Sequence, residues 1–142
     1  MSTQTQTQAQ AQALVEAART YIGTPFRLHG RDRQHGLDCL GLILAALRDT
    51  GHRCPSPPPY ALRNSRIDPL LAFAANSGLI QGPPPFRTGD ILLGKVGPAQ
   101  WHAAIAMGPT GFIHAHAGLR RVVQTPGAFP WPLLGLWRCP SN

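Results

Sequence analysis

The chain has 142 residues, 43% hydrophobic and 13% charged, which is enough for one folded domain with a substantial core and too apolar for a disordered chain. Thirteen Lys and Arg against six Asp and Glu give a net charge of +7, and twelve of the thirteen cations are arginine. No basic run is interleaved with aromatics and no apolar run reaches transmembrane length, so the charge marks neither a nucleic-acid reader nor a membrane span; it suits an anionic substrate or an anionic cell envelope equally.

Three cysteines, an odd number, are too few for a disulfide framework, although Cys54 and Cys139 can pair and leave Cys39 free. No signal peptide is recognisable, so the expectation is a soluble product of the cytoplasm that needs a carrier to act outside it.

In chain order, Ser2 to Gln12 is a low-complexity Thr/Gln/Ala tract, expected as an arm over residues 1–12 ahead of a single domain over 13–142. Leu14, Ala17, Ala18 and Tyr21 share one helical face, and Gly23 with Pro25 ends that helix. A polar loop then leads to Gly36-Leu37-Asp38-Cys39-Leu40-Gly41. Behind it, Leu40, Ile43, Leu44 and Leu47 recur at helical spacing, and Gly51 is the stop. Asp38 sits where an N-cap belongs, which makes Cys39 the first helical residue. A thiolate there is stabilised by the macrodipole, and a free thiol pKa of about 8.5 can fall to between about 3.5 and 7.5 in such places. The competing reading is an inert core cysteine, since free Cys is among the most buried residue types.

Pro55 to Tyr60 reads as an extended surface linker, Asp68 to Ser77 as a third helix capped by Asp68 with Pro69 in its first turn, and Gly82 to Pro85 as a second break. From there the pattern is strand-like: Asp90–Leu93, Trp101–Met107, Gly111–Ala117, Arg120–Gln124 and Leu134–Cys139 are short and bounded by Gly or Pro. Helices first and a mostly antiparallel sheet afterwards define an α+β layout.

His102 and His114 fall on two of these strands, joined by a short connector. With an odd loop, or an even loop plus a bulge, the two point to one face and lie near each other diagonally; an even loop alone puts them on opposite faces. Ile105, Met107 and Ile113 then face the core on the other side. If the cysteine helix packs on the histidine face, Cys39 meets His102 as a thiol–imidazole pair with His114 as the orienting third group. His116 has the parity of His114, so periodicity does not separate them. His29, His35 and His52 read as solvated loop residues. A zinc reading uses Cys39, His102, His114 and His116, but no CxxC, HExxH or HxxxH spacing supports it.

Asp38-Cys39-Leu40-Gly41, Gly89-Asp90-Ile91-Leu92, His102-Ala103-Ala104-Ile105 and Phe112-Ile113-His114-Ala115 together resemble the ordered motifs of the NlpC-type cell-wall cysteine peptidases, which are papain-like enzymes. The resemblance runs from about Ala17 to Val123 and implies N-terminal helices on a five- to six-stranded sheet. It implies Cys39 as nucleophile, His102 as base and then acid, and His114 as orienting residue, with no metal and no cofactor. It also places Phe26, Arg27 and Asp38 on the substrate side, with Phe26 standing where the family usually has tyrosine. Arg27 or Arg31 is the candidate for binding substrate carboxylates. The implied substrate is the stem peptide of peptidoglycan, cut at the γ-D-glutamyl to diamino-acid bond.

Leu40, the Pro57-Pro58-Pro59-Tyr60 linker and the small size are most similar to the phage-tail and gene-transfer-agent branch. That implies tail-tip or baseplate partners and a particle that carries the enzyme to the envelope, with no nucleic-acid partner and no membrane insertion. The alternatives are a structural tail-tip module without useful catalysis, the zinc-binding module, and an acyltransferase on the same fold.

Overall fold

The computed structural model describes residues 8–61 and 66–140. The order of elements is α1 (Gln8–Arg19), β1 (Arg31–Asp32), β2 (Gly36–Leu37), α2 (Cys39–Asp49), α3 (Asp68–Asn76), β3 (Ile80–Gln81), β4 (Ile91–Gly97), β5 (Gln100–Gly108), β6 (Gly111–His116), β7 (Arg121–Pro126) and β8 (Leu133–Arg138). β1 and β2 form a small hairpin; the rest make one six-stranded antiparallel sheet ordered β3-β8-β4-β5-β6-β7. The α+β layout and the five longer strands follow the sequence reading within a few residues. The short pieces β1, β2 and β3 carry too little periodicity to be seen in advance.

The low-complexity tract is helical from Gln8, because Ala11 is buried beneath the turn at Gly89 and anchors the first turn of α1. The third helix is capped differently from expectation. Ile67 is its N-cap, with no side-chain hydrogen bond, and Asp68 and Pro69 lie inside the first turn.

Asp38 is the N-cap of α2, and its Oδ1 accepts the Gly41 N–H at 2.7 Å. Leu40, Leu42, Ile43, Ala45, Ala46 and Leu47 are all buried, so α2 is enclosed nearly all round rather than on one face. It packs with α1 on the face of the sheet formed by Ile91, Leu93, Trp101, Ala103, Ile105, Ile113, Ala115, Val122 and Trp137. Gly41 is where the preceding loop closes on α2: a Cβ there would lie 2.0 Å from the Gly30 carbonyl oxygen. That close approach explains a glycine inside a helix, where it costs about 1 kcal/mol relative to alanine.

The opposite face of the sheet carries a second cluster of Leu92, Ala104, Ala106, Phe112, Phe129 and Leu136, with Trp131 packed against it. Asp90, just before β4, ties the two ends of the sheet domain together. Its Oδ1 accepts from Arg138 Nε at 2.9 Å and its Oδ2 from Arg138 Nη2 at 3.2 Å, with both side chains buried. Among the described residues no helix is long and apolar enough to cross a membrane.

Candidate active site

The β5–β6 connection contains two turn residues, Pro109 and Thr110, and a register shift between Ala106 and Gly108. The extra residue is Met107. This is the even loop with a bulge, and it puts His102 and His114 on one face. The rings meet at 2.7 Å, His102 Nε2 to His114 Nδ1, in an edge-on arrangement. His114 Nε2 in turn lies 2.8 Å from Thr125 Oγ1 on β7. His116 is set apart from this chain, because its Nδ1 accepts the Leu119 N–H at 3.0 Å. Geometry therefore separates the two histidines that periodicity left open. Ile105, Ile113 and Met107 pack on the opposite, helix-bearing face, as expected.

That alternation corrects the assumption that α2 packs on the histidine face. α2 covers the Ala103 and Ile105 side, while His102 and His114 project among Phe112 and Trp131 on the other. The β5–β6 ladder runs from Gly108–Gly111 to Ile105–Ile113 and pairs no residue of β5 earlier than Ile105. The Ala106 N–H points to the β4 side, where it donates to the Asp90 carbonyl, so by alternation the Ala103 N–H points to the β6 side. Ladder pairing there has ended; Cys39 packs in the same buried cluster as Ala103, whose backbone amide partly offsets the rise in the thiol's pKa. Cys39 thus lies on the helix-bearing face, in the cluster that holds the residue following His102. Among the described residues no hydrogen bond joins Cys39 to either imidazole, and His102 Nδ1 makes none.

The electrostatics also differ from expectation. Cys39 is completely buried, and burial, followed by the neighbouring Asp38 charge, pushes its thiol up to about 12. Desolvation outweighs the helix terminus, so the resting group is a thiol, not a thiolate. Burial, then the charges of His114 and His116, bring His102 down to about 3. Burial and His116 bring His114 down to about 4. At neutral pH the site holds a thiol and two neutral imidazoles.

Of the three residues expected on the substrate side, Phe26 qualifies by position. It lines a cleft of about 270 Å³ together with Val96, Gln100, His102, His116 and Trp131. Arg27 is exposed and lies outside that lining. Asp38 faces the interior. It is fully buried and accepts from the N–H of Gly41 and His29, from Arg31 Nη1 at 3.2 Å and from the Tyr60 hydroxyl at 2.5 Å. Arg31 is spent on the same carboxylate, and its Nη2 donates to the Tyr60 oxygen at 2.7 Å.

Tyr60 is the residue sequence reasoning missed. The proline-rich segment is not a free surface linker but a strap. The Tyr60 carbonyl faces His29 Nε2 at 2.7 Å, and the Ala61 carbonyl accepts from Trp101 Nε1 at 3.1 Å. Its only signal in the sequence is an aromatic following three prolines. His29 and His52 are likewise not simply solvated, since His52 Nε2 lies 2.7 Å from the Ser77 carbonyl. Cys54 and Cys139 are free thiols, and burial followed by the Cys54 charge pushes Cys139 up to about 11. For the zinc alternative, no group of three or more potential ligands converges among the described residues.

The model of the NlpC/P60 family matches residues 23–129. In structure the chain is similar to the NlpC/p60 domain of the peptidoglycan hydrolase SagA, with 27% identity, a TM-score of 0.57, and 82% of this chain and 88% of that one covered. It is also similar in fold to an NLP/P60 lipoprotein-like protein of Staphylococcus aureus (20% identity, TM-score 0.67, all of this chain covered) and to the peptidoglycan hydrolase RipB of Mycobacterium tuberculosis (17% identity, TM-score 0.64, 94% of this chain covered). It spans 45% of the staphylococcal chain and 66% of RipB. A comparison with curated protein sequences found no match. A matched model over most of the sequence, on a sheet and cysteine helix of the same fold, establishes that the chain belongs to the NlpC/P60 family.

Proposed function

We propose that this protein is a peptidoglycan hydrolase: a cysteine endopeptidase that cuts stem peptides at the γ-D-glutamyl to diamino-acid bond, with Cys39, His102 and His114 as its triad. The observation that carries this reading is the chain from His102 through His114 to Thr125, with His102 Nε2 held by His114, on the same sheet that packs against a helix beginning at Cys39. His102 Nδ1 is left as the base. Because the resting groups are neutral, attack and proton transfer go together. Cys39 Sγ bonds to the scissile carbonyl carbon as its proton passes to His102 Nδ1. The leaving amine then takes that proton, and water releases the acyl group from sulfur. The Cys39 N–H, at the start of α2, is the candidate oxyanion donor. Substrate entry has to uncover the sulfur, since Cys39 is 0% exposed.

The arginine-rich surface suits an anionic substrate, with exposed Arg27 next to Phe26 as the nearest candidate for its carboxylates. The setting we favour is the tail tip of a phage or gene-transfer agent, which carries the enzyme to the envelope and supplies its protein partners. That part rests on the Leu40 motif and the proline-rich segment ending at Tyr60. A second reading, a structural tail-tip module, is favoured by the complete burial and raised pKa of Cys39.

Purified peptidoglycan incubated with the wild type and with Cys39→Ala separates the two. Soluble peptide fragments from the wild type alone support the peptidase. Equal release from both leaves the structural module.

A further inference from the structure

We infer that Thr125 is a positioning residue for the thiol–imidazole chemistry: its hydroxyl accepts the Nε2 proton of His114 and so holds both imidazoles in the tautomers that leave His102 Nδ1 bare. This rests on the peptidase reading and adds a fourth member to its machinery.

β7 lies against β6 with His114 opposite Val123 and Phe112 opposite Thr125. Directly opposed residues share a face, and so do residues two apart, so Thr125 is on the histidine face and diagonal to His114. The contact at 2.8 Å therefore follows from register. A neutral imidazole has one N–H and one bare nitrogen. Two imidazoles joined at His102 Nε2 and His114 Nδ1 consequently admit only two neutral arrangements. In one, protons point from His102 to His114 to Thr125, and His102 Nδ1 is bare. In the other every proton is reversed, and His102 Nδ1 carries a hydrogen. Only the first lets His102 accept the thiol proton.

The far end of the chain decides between them: a hydroxyl can accept or donate, and the first arrangement is the one in which Thr125 Oγ1 accepts from His114 Nε2. His116 already uses Nδ1 as the acceptor for the Leu119 N–H, and Phe112 and Trp131 meet His114 as rings, at centroid distances of 4.7 and 6.3 Å. Among the described residues, the titratable neighbour that acts on the pair is His116 on β6, and the polar contact from β7 is the Thr125 hydroxyl. Being uncharged, that hydroxyl orients the pair without adding fixed charge to it.

The test uses full-length Thr125→Val, which keeps the shape and removes the acceptor, and Thr125→Ser, which restores it. Imidazole ¹⁵N shifts at neutral pH, without substrate, are expected to show His102 and His114 as Nε2–H tautomers in the wild type and in Thr125→Ser, and a mixture in Thr125→Val. On a synthetic stem tripeptide, Thr125→Val is expected to lose about three- to tenfold in kcat with KM unchanged, the scale of one neutral hydrogen bond, while Thr125→Ser retains the wild-type rate. Wild-type tautomers in Thr125→Val, a loss confined to KM, or equal damage in both variants overturns the proposal. A wild type that fails to cleave the peptide at all counts against the peptidase reading, while the ¹⁵N spectra still decide the role of Thr125.

Discussion

Replacing Tyr60 with phenylalanine removes one oxygen from a fully buried carboxylate site and leaves the ring in place against Trp101 and His29. Asp38 keeps its bonds from Gly41, His29 and Arg31, but loses the hydroxyl that donates at 2.5 Å. A hydrogen bond to a charged group contributes about 1.5–3 kcal/mol. Arg31, a third exposed, can replace its lost acceptor with water, whereas Asp38, at 0% exposure, cannot replace its lost donor. The expected cost is therefore near the middle of that range, about 2 kcal/mol. With an unfolding entropy of about 2.1 cal/mol/K per residue, a 142-residue chain loses about 6–7 °C in Tm. Thermal unfolding followed by circular dichroism measures this directly, with Tyr60→Ala reporting the added loss of ring packing. A Tyr60→Phe variant that melts within about 2 °C of the wild type would show that the strap is not anchored through Asp38.

Both site imidazoles titrate below the ordinary 6.5, at about 3 for His102 and about 4 for His114, so unfolding takes up protons as the pH falls below 6.5. Stability is full above that pH and is lost progressively toward pH 3. The Tm should fall more steeply between pH 7 and 4.5 in the wild type than in a His102→Gln/His114→Gln variant, and parallel profiles would refute it. Cys39 should alkylate more slowly at pH 7 in the folded chain than in urea, with a rate still climbing above pH 9, because its thiol lies at about 12; a plateau below pH 8 would reveal a resting thiolate. Arg138→Ala strands a buried Asp90 carboxylate with only the Arg87 N–H, and should cost about 3–5 kcal/mol by urea unfolding, well above a typical surface substitution. Gly41→Ala forces a Cβ against the Gly30 carbonyl, so its Tm should fall more than that of Ala45→Gly in the same helix; the reverse order would mean that the loop gives way freely.

The strand and helix boundaries were largely legible because each long element carries its own period. α2 runs Cys39–Asp49, and the alternation of Trp101, Ala103 and Ile105 against His102, Ala104 and Ala106 survives into the two faces of the sheet. The pairing of His102 with His114 was legible only as a condition, since it depended on whether an even connector carried a bulge, and Met107 supplies one. The thiol pKa was misjudged in direction. A helix N-terminus is visible in sequence, but the burial that outweighs it belongs to the assembled core.

The sequence by itself determined which residues are candidates for the chemistry and the periodicity that sorts them onto faces, because both are local properties of the chain. Tertiary structure alone decided that α2 lies on the face away from the histidines, that ladder pairing between β5 and β6 ends at Ile105, and that Tyr60 and Arg31 close over Asp38. These are meetings between segments far apart in the chain. They are set by where a ladder ends and which buried charge needs a partner, and neither leaves a period to read.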